Sequence, residues 1–303
     1  MKKELKNILV PVDCKESSLS AMRFAANIAG HFKGELFLLN VIETPGLLAD
    51  FFASGNHLVK ITDQAKERLQ GLARMLESEH PGTMISHRVL RGKPYEKILE
   101  VASEIEARFI ILGENHQGAD LRRDLGSTVY HVTLKSPVPV IAHKGDAIDM
   151  GKKILVPLDL TKETRLQLFS ALSYALNYNA SIVLVSSMIS SMRIRDSLIY
   201  RKMRKAGKVL RENGVEHEIK IFEHSSTPPY VRVLEYAKEI EADMILVMTH
   251  QEGYKYDNYI GAFAHHIINF SNVPVLSLTS TATGSGLRDL MNAVVDPVGW
   301  FKK

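Results

Sequence analysis

EIEARFIILGENH, residues 104–116, returns as EIEADMILVMTHQ at residues 239–251. Self-similarity at a fixed offset marks a duplicated unit. SPVPVIAH, from Ser136, returns as SNVPVLSL from Ser271, and Gly126 and His131 return as Gly261 and His266, all displaced by 135 residues. Near the N-terminus NILVPVD (7–13) returns as KILVPLD (153–159), displaced by 146, so the second copy is 11 residues shorter in its middle. The chain therefore reads as one domain written twice, over residues 1–148 and 149–280, with a tail at 281–303. The join falls in the charged, glycine-containing stretch HKGDAIDMGKK, 143–153.

Within each copy, short apolar runs alternate with longer amphipathic segments. NILVPV, ELFLLNV, MISHRVL, RFIILG and VPVIAH have strand length and β-branched content, and KILVPL, SIVLVSS, EHEIKIF, DMILVM and VPVLSL repeat the series. Segments such as SSLSAMRFAANIAGHF and DQAKERLQGLARMLES between them have helical period, with Ser17 as a candidate N-cap. Continuous apolar strands alternating with helices predict a parallel sheet covered on both faces. Such a sheet takes ligands beyond the carboxyl ends of its strands, where the strand order reverses.

A chain of 303 residues is long enough for two cores. A net charge of +4 is far from the basicity of a dedicated nucleic-acid binder. One cysteine, Cys14, excludes an intrachain disulfide and a thiolate cluster. The first apolar run is too short for a signal peptide, and no run reaches the roughly 18–20 residues of a membrane span. A cytoplasmic protein without nucleic-acid or membrane partners is expected.

At the predicted strand ends of the first copy lie Asp13, Val41, RGKP (91–94) and Gly113. The Asp13 carboxylate suits a ribose hydroxyl or an adenine amine, or equally the N-terminal dipole of the helix that follows. Gly113 permits close approach of backbone to a ligand. Gly126-Ser127-Thr128 opens a helix whose free N–H groups suit an anion, or whose hydroxyls serve as caps.

ILVPVD, the RGKP turn, a glycine followed thirteen residues later by Gly-Ser, and SPVPV together resemble the universal stress proteins, twice over and across almost the whole chain. The resemblance implies two tandem five-stranded parallel α/β domains, Rossmann-like and of the adenine nucleotide alpha hydrolase-like type. It also implies antiparallel pairing of their fifth strands, here within one chain as a pseudo-dimer. By the same resemblance Pro11, Val12, Asp13 and Val41 hold adenine and ribose, and Gly113, Gly126, Ser127 and Thr128 hold phosphates. ATP would be the ligand, with no metal beyond its accompanying magnesium. The family's ATP binders carry G-2x-G-9x-G-[ST], and here the middle glycine is His116, which either obstructs the phosphates or donates to them.

The second copy keeps Asp159 but places Met248 and Gln251 at the first two glycine positions and follows Gly261 with Ala262. A pocket of Asp159, His224, Met248 and His250 would take another ligand or fill itself. Cys14, near a helix N-terminus, is a candidate for a lowered thiol pKa, though a tolerated small residue is the plainer reading. His265 and His266, with His224 and His250, match no local zinc spacing. The basic segment around 192–213 reads as a helix with one apolar face and a solvated one, and the tail as a docking helix with an aromatic anchor. No Walker loop, dinucleotide fingerprint or paired nucleophile and base is present, so a turnover enzyme is not expected, although slow ATP hydrolysis stays open. The sequence thus predicts a regulatory stress-response module that forms homo-oligomers and acts on a protein partner. The alternative is a scaffold that binds no nucleotide.

Overall fold

The computed structural model describes residues 7–32, 34–43, 55–114, 125–145, 147, 151–158, 164–187, 198–223, 225–249 and 260–279. They form one ten-stranded sheet with eight helices. The first half runs β1 (Ile8–Pro11), α1 (Glu16–Phe32), β2 (Glu35–Glu43), α2 (Gly55–Glu79), β3 (Met84–Gly92), α3 (Pro94–Glu104), β4 (Phe109–Gly113), α4 (Ser127–Lys135) and β5 (Val140–His143). The second runs β6 (Lys153–Pro157), α5 (Thr164–Tyr178), β7 (Ser181–Ser187), α6 (Leu198–Glu212), β8 (His217–Phe222), α7 (Pro229–Glu239), β9 (Met244–Met248), α8 (Ala262–Phe270) and β10 (Val275–Leu278).

The strand order is β3-β2-β1-β4-β5-β10-β9-β6-β7-β8, with every pairing parallel except β5 with β10. Each half is therefore a five-stranded doubly wound sheet whose order reverses between its first and fourth strands. Alternate residues of each strand feed opposite cores. Ile8 and Val10 join a cluster under α1 and α2 that continues into the second half through Ile154, Val156 and α5. Leu9 faces the other way, toward Ile98 and Val101 of α3 and Val132 of α4. A fully buried aliphatic side chain contributes about 1.5–3 kcal/mol, so both faces of these strands stabilise the sheet.

The join between the halves obeys the duplication. Ile141 pairs with Leu276, its own counterpart 135 residues on, while Val140 pairs with Ser277 and Ala142 with Val275. A local two-fold axis thus passes through the Ile141–Leu276 pair. The expected pseudo-dimer is present in one chain, and the edges that β5 and β10 would otherwise expose are paired. Ser277 Oγ donates to the Val140 carbonyl (3.0 Å), and Thr279 Oγ1 to the carbonyl of Ser136 at the end of α4 (2.9 Å).

Two local expectations change. Helix α1 begins at Glu16, so Ser17 lies inside its first turn rather than capping it. Lys15 holds the position before the first helical residue, and Asp13 braces it from outside the helix, its Oδ1 accepting the Lys15 N–H (3.0 Å). The basic helix α6 buries Met203 and Leu210 as expected and leaves Arg201, Arg204, Lys205, Lys208 and Arg211 exposed. The apolar stretch GLLADFFASGNHL (46–58), read from the sequence as a connection, enters α2 at Gly55, while its residues 46–54 and the tail at 281–303 lie outside the described residues. Among the described residues no helix is long and apolar enough to cross a membrane.

Candidate functional site

Strands β1 and β4 pair only through Ile8–Phe109 and Leu9–Ile110, whereas β1 stays beside β2 as far as Pro11–Leu39. The crevice at the reversal in strand order opens above these pairs. Pro11 has no N–H to offer there and ends the strand. Val12 continues toward β2, donating to the Leu39 carbonyl (2.8 Å) and accepting from Asn40 Nδ2 (2.6 Å). Its side chain is buried and its N–H is engaged, so only the second lone pair of its carbonyl is left for a ligand. Val41, on the neighbouring strand, is half-buried.

Asp13 leaves the strand end exposed, with Lys15 Nζ 2.9 Å from Oδ2. Partial burial works against ionisation of its carboxyl. Hydrogen bonds from the ammonium and backbone N–H of Lys15 and from Ser18 outweigh it, and its pKa lies below the ordinary carboxylate value. The carboxylate is ionised at neutral pH, engaged at the N-terminus of α1 and still open to solvent. Cys14 follows in left-handed backbone (φ 63°), and burial pushes its thiol pKa up. The helix terminus does not make it a reactive thiolate.

The two outer glycines of the loop differ in kind. A β-carbon on Gly113 would sit 2.1 Å from the Ser17 carbonyl oxygen and 2.8 Å from the Ser18 nitrogen. Its bareness is required by the first turn of α1, part of the same chain, and not only by a ligand. Gly126 caps α4 with φ −55° and ψ 142°, and a β-carbon there would meet no described residue within 4 Å. Ser127 is exposed and Thr128 half-buried at the first two helical positions, and neither hydroxyl caps the helix. The sequence left open whether these hydroxyls cap, and the structure answers that Gly126 holds the cap position without a side-chain bond. Among the described residues no side chain caps the N–H groups at the terminus of α4. His116 lies outside the described residues.

The second half is built alike and closed. Gly261 repeats the cap geometry (φ −56°, ψ 140°), but its N–H donates to the Thr249 carbonyl (2.8 Å). Among the described residues Gly126 has no such bond. Beneath the mouth, Gln167 of α5 is buried and donates from Nε2 to the carbonyls of Pro157 (2.8 Å) and Leu246 (3.0 Å). It bridges β6 and β9 where they part. By the 146-residue offset its counterpart is Ala21, a methyl group. Nothing in the spacing of the sequence singled out Gln167, because a glutamine inside an amphipathic segment carries no periodic signal. Met248 ends β9 half-buried against the core, while Asp159, His224 and His250 lie outside the described residues.

His265 and His266 stand side by side on α8, ring centroids 5.9 Å apart. His266 packs on Tyr230 (4.3 Å), as His131 packs on Tyr95 (4.6 Å) in the first half. These are repeated packing contacts between the helices of one face. Among the described residues no three His, Cys, Asp or Glu side chains converge on a metal position.

Two doubly wound halves, joined through their last strands and each reversing its strand order between its first and fourth strands, define a tandem α/β chain. The universal stress protein family profile matches residues 4–144 and again 150–278. The chain belongs to the universal stress protein family, with two of its domains in tandem. A universal stress protein of Methanocaldococcus jannaschii is 27% identical over 141 residues, covering 46% of this chain and 82% of that protein. Among solved structures, one from Archaeoglobus fulgidus superposes with a TM-score of 0.75 at 21% identity, covering 91% of this chain and 99% of the other. Another from Pseudomonas aeruginosa gives 0.65 at 19% identity, covering 95% and 98%. These two share the tandem fold.

Proposed function

We propose that the first half binds an adenine nucleotide, ATP in the first instance, as a regulatory ligand, and that the second half does not. The observation that carries this reading is the difference between two copies of one site. In the first, Gly126 and Ser127 at the N-terminus of α4 are exposed, no described residue lies within 4 Å of a β-carbon at Gly126, and Asp13 stands ionised just beyond the end of β1. In the second, Thr249 takes the corresponding N–H and Gln167 ties the strands together. Pro11, Val12, Asp13 and Val41 would hold base and ribose, and Gly126, Ser127 and Thr128 the phosphates. Helix N–H groups and dipole favour a polyanion at that point. Gly113 supports the site by letting α1 close against β4, and His116 sits in the loop between. Magnesium would arrive with the nucleotide.

The nucleotide has a signalling rather than a turnover role here, expressed through a protein partner or through homo-oligomers. Fluorescent ATP-analogue titration tests the ligand, with Asp13→Ala and Gly126→Val as controls. The wild type should bind and both variants should lose affinity. Because no described residue lies within 4 Å of a β-carbon at 126, Gly126→Val should cost only the roughly 0.5–1 kcal/mol by which valine is a poorer N-cap than glycine. That is a small fall in melting temperature that keeps the fold, so lost binding would not reflect lost folding. Absence of binding by the wild type at millimolar ATP would leave the scaffold reading in its place. Sedimentation velocity with and without ATP tests the oligomer.

A further inference from the structure

Lys144 follows β5 directly and its side chain is fully buried, a rare fate for a lysine. Its ammonium donates to the carbonyls of Ile268 and Asn269 (3.0 Å to the latter), in the last turn of α8 of the second half. The same ammonium lies 3.2 Å from Glu114 Oε2. Glu114 is the first residue after Gly113, and its N–H donates to the His143 carbonyl (3.1 Å). Its carboxylate is almost wholly buried, and Oε2 receives the charge of Lys144 without a well-aligned hydrogen bond. Burial pushes the Glu114 carboxyl up and the Lys144 ammonium down from their ordinary values, each opposed by the other's charge.

The duplication shows what this arrangement adds. By the 135-residue offset the counterparts are Thr249 and Thr279, both neutral. Thr279 bonds the carbonyl of Ser136, which caps α4, just as Lys144 bonds the end of α8. Each half therefore grips the last helix of the other. Only the first half does so with a cation, which suits the negative end of a helix dipole. And only there is the grip tied by a second charge to the residue that opens the glycine-bounded loop. A buried ion pair costs desolvation that a threonine pair avoids, so mere joining of the halves does not require it.

We infer that Lys144 is a positioning residue for the first half's nucleotide site, acting through Glu114, and that it makes the geometry of that site depend on helix α8 of the second half. This rests on the nucleotide reading above for its ligand, though not for its mechanical link. Closure of the crevice around a ligand would move the end of β4, and Glu114 would carry that movement through Lys144 to the last turn of α8. Coupling is reciprocal, so a partner that displaces α8 would alter nucleotide affinity by the same factor.

Hydrogen exchange and ATP-analogue titration on the full chain, comparing wild type with Glu114→Gln/Lys144→Met, decide the matter. The double variant removes both charges together, so no buried charge is left unpaired and folding is retained. With the link in place, the variant binds about tenfold more weakly. ATP then slows exchange of residues 262–270 in the wild type but not in the variant. Equal affinities with equal protection of α8 would overturn the link while leaving the nucleotide reading intact. If the wild type binds no ATP, the nucleotide reading fails, and exchange without ligand still decides the link. Faster exchange of residues 109–114 in the variant supports it, and unchanged exchange removes it.

Discussion

Gly113 and Gly126 are indistinguishable in a motif and opposite in the structure. The Ser17 carbonyl occupies the place of a β-carbon at the first, whereas no described residue lies within 4 Å of that place at the second. Gly113→Ala is accordingly expected to lower stability by at least about 2 kcal/mol, since a backbone carbonyl cannot turn aside as a side chain can. Urea unfolding of the two variants separates the roles: without any ligand Gly113→Ala should shift the midpoint strongly, Gly126→Val only by the roughly 0.5–1 kcal/mol of a lost N-cap preference. A second residue-scale expectation concerns left-handed backbone. Glu106 and Glu241, counterparts by the 135-residue offset, follow α3 and α7 with φ of 49° and 52°. Such positions favour glycine by about 1 kcal/mol, less the entropy that glycine loses on folding. Glu241 is exposed, so Glu241→Gly should raise the urea midpoint, a gain of about 0.5–1 kcal/mol. The positions of both glycines were legible in the sequence because spacing is a one-dimensional property. Their reasons were not, because the Ser17–Gly113 contact joins residues 96 apart in a chain whose folding path spacing does not record.

At the scale of elements, the apolar runs foretold all ten strands, and the resemblance to the universal stress proteins implied which strands would meet at the centre. What escaped were the polar groups that fix the elements to one another. Gln167 is one glutamine in an amphipathic helix, and Lys144 reads as the first charged residue after a strand, which is ordinarily solvated. Neither betrays its depth until α5 and α8 are in place. The end of β4 also predicts a pH dependence. The Glu114 carboxyl is raised by burial above its unfolded value near 4.5. Between those two values the folded chain holds a proton that the unfolded chain has released. Stability from this group is therefore fully present below the unfolded value and is lost as pH rises through the folded one. Urea midpoints of wild type and Glu114→Gln, followed upward from pH 4.5, should diverge, the wild type losing stability relative to the variant. Parallel profiles would mean that Glu114 titrates alike in both states. Asp13 contributes with the opposite sign, its pKa being lowered, but it is common to both proteins and cancels in the comparison.

For the whole molecule, the antiparallel join makes two similar domains into one sheet, and the consequence is cooperativity. Were β5 and β10 only adjacent, each half would open by itself. Because Ile141 and Leu276 share the axis and the first half's α1, α2 core continues into the second, exposing β10 also exposes β5. Contiguous cooperative units exchange their amides together. Residues 140–143 and 275–278 should therefore show one opening free energy, while β3 and β8, the outer strands, open more readily. Ser277→Val with Thr279→Val removes two side-chain bonds that reach across the join, each contributing about 0.5–1.5 kcal/mol. Although both substitutions lie in the second half, exchange should accelerate equally in 140–143 and 275–278, by about tenfold if the two losses sum to roughly 1.4 kcal/mol. Acceleration confined to 275–278 would mean that the halves fold independently. In that case the asymmetry between an open first site and a closed second one would be two separate histories rather than one molecule dividing its labour.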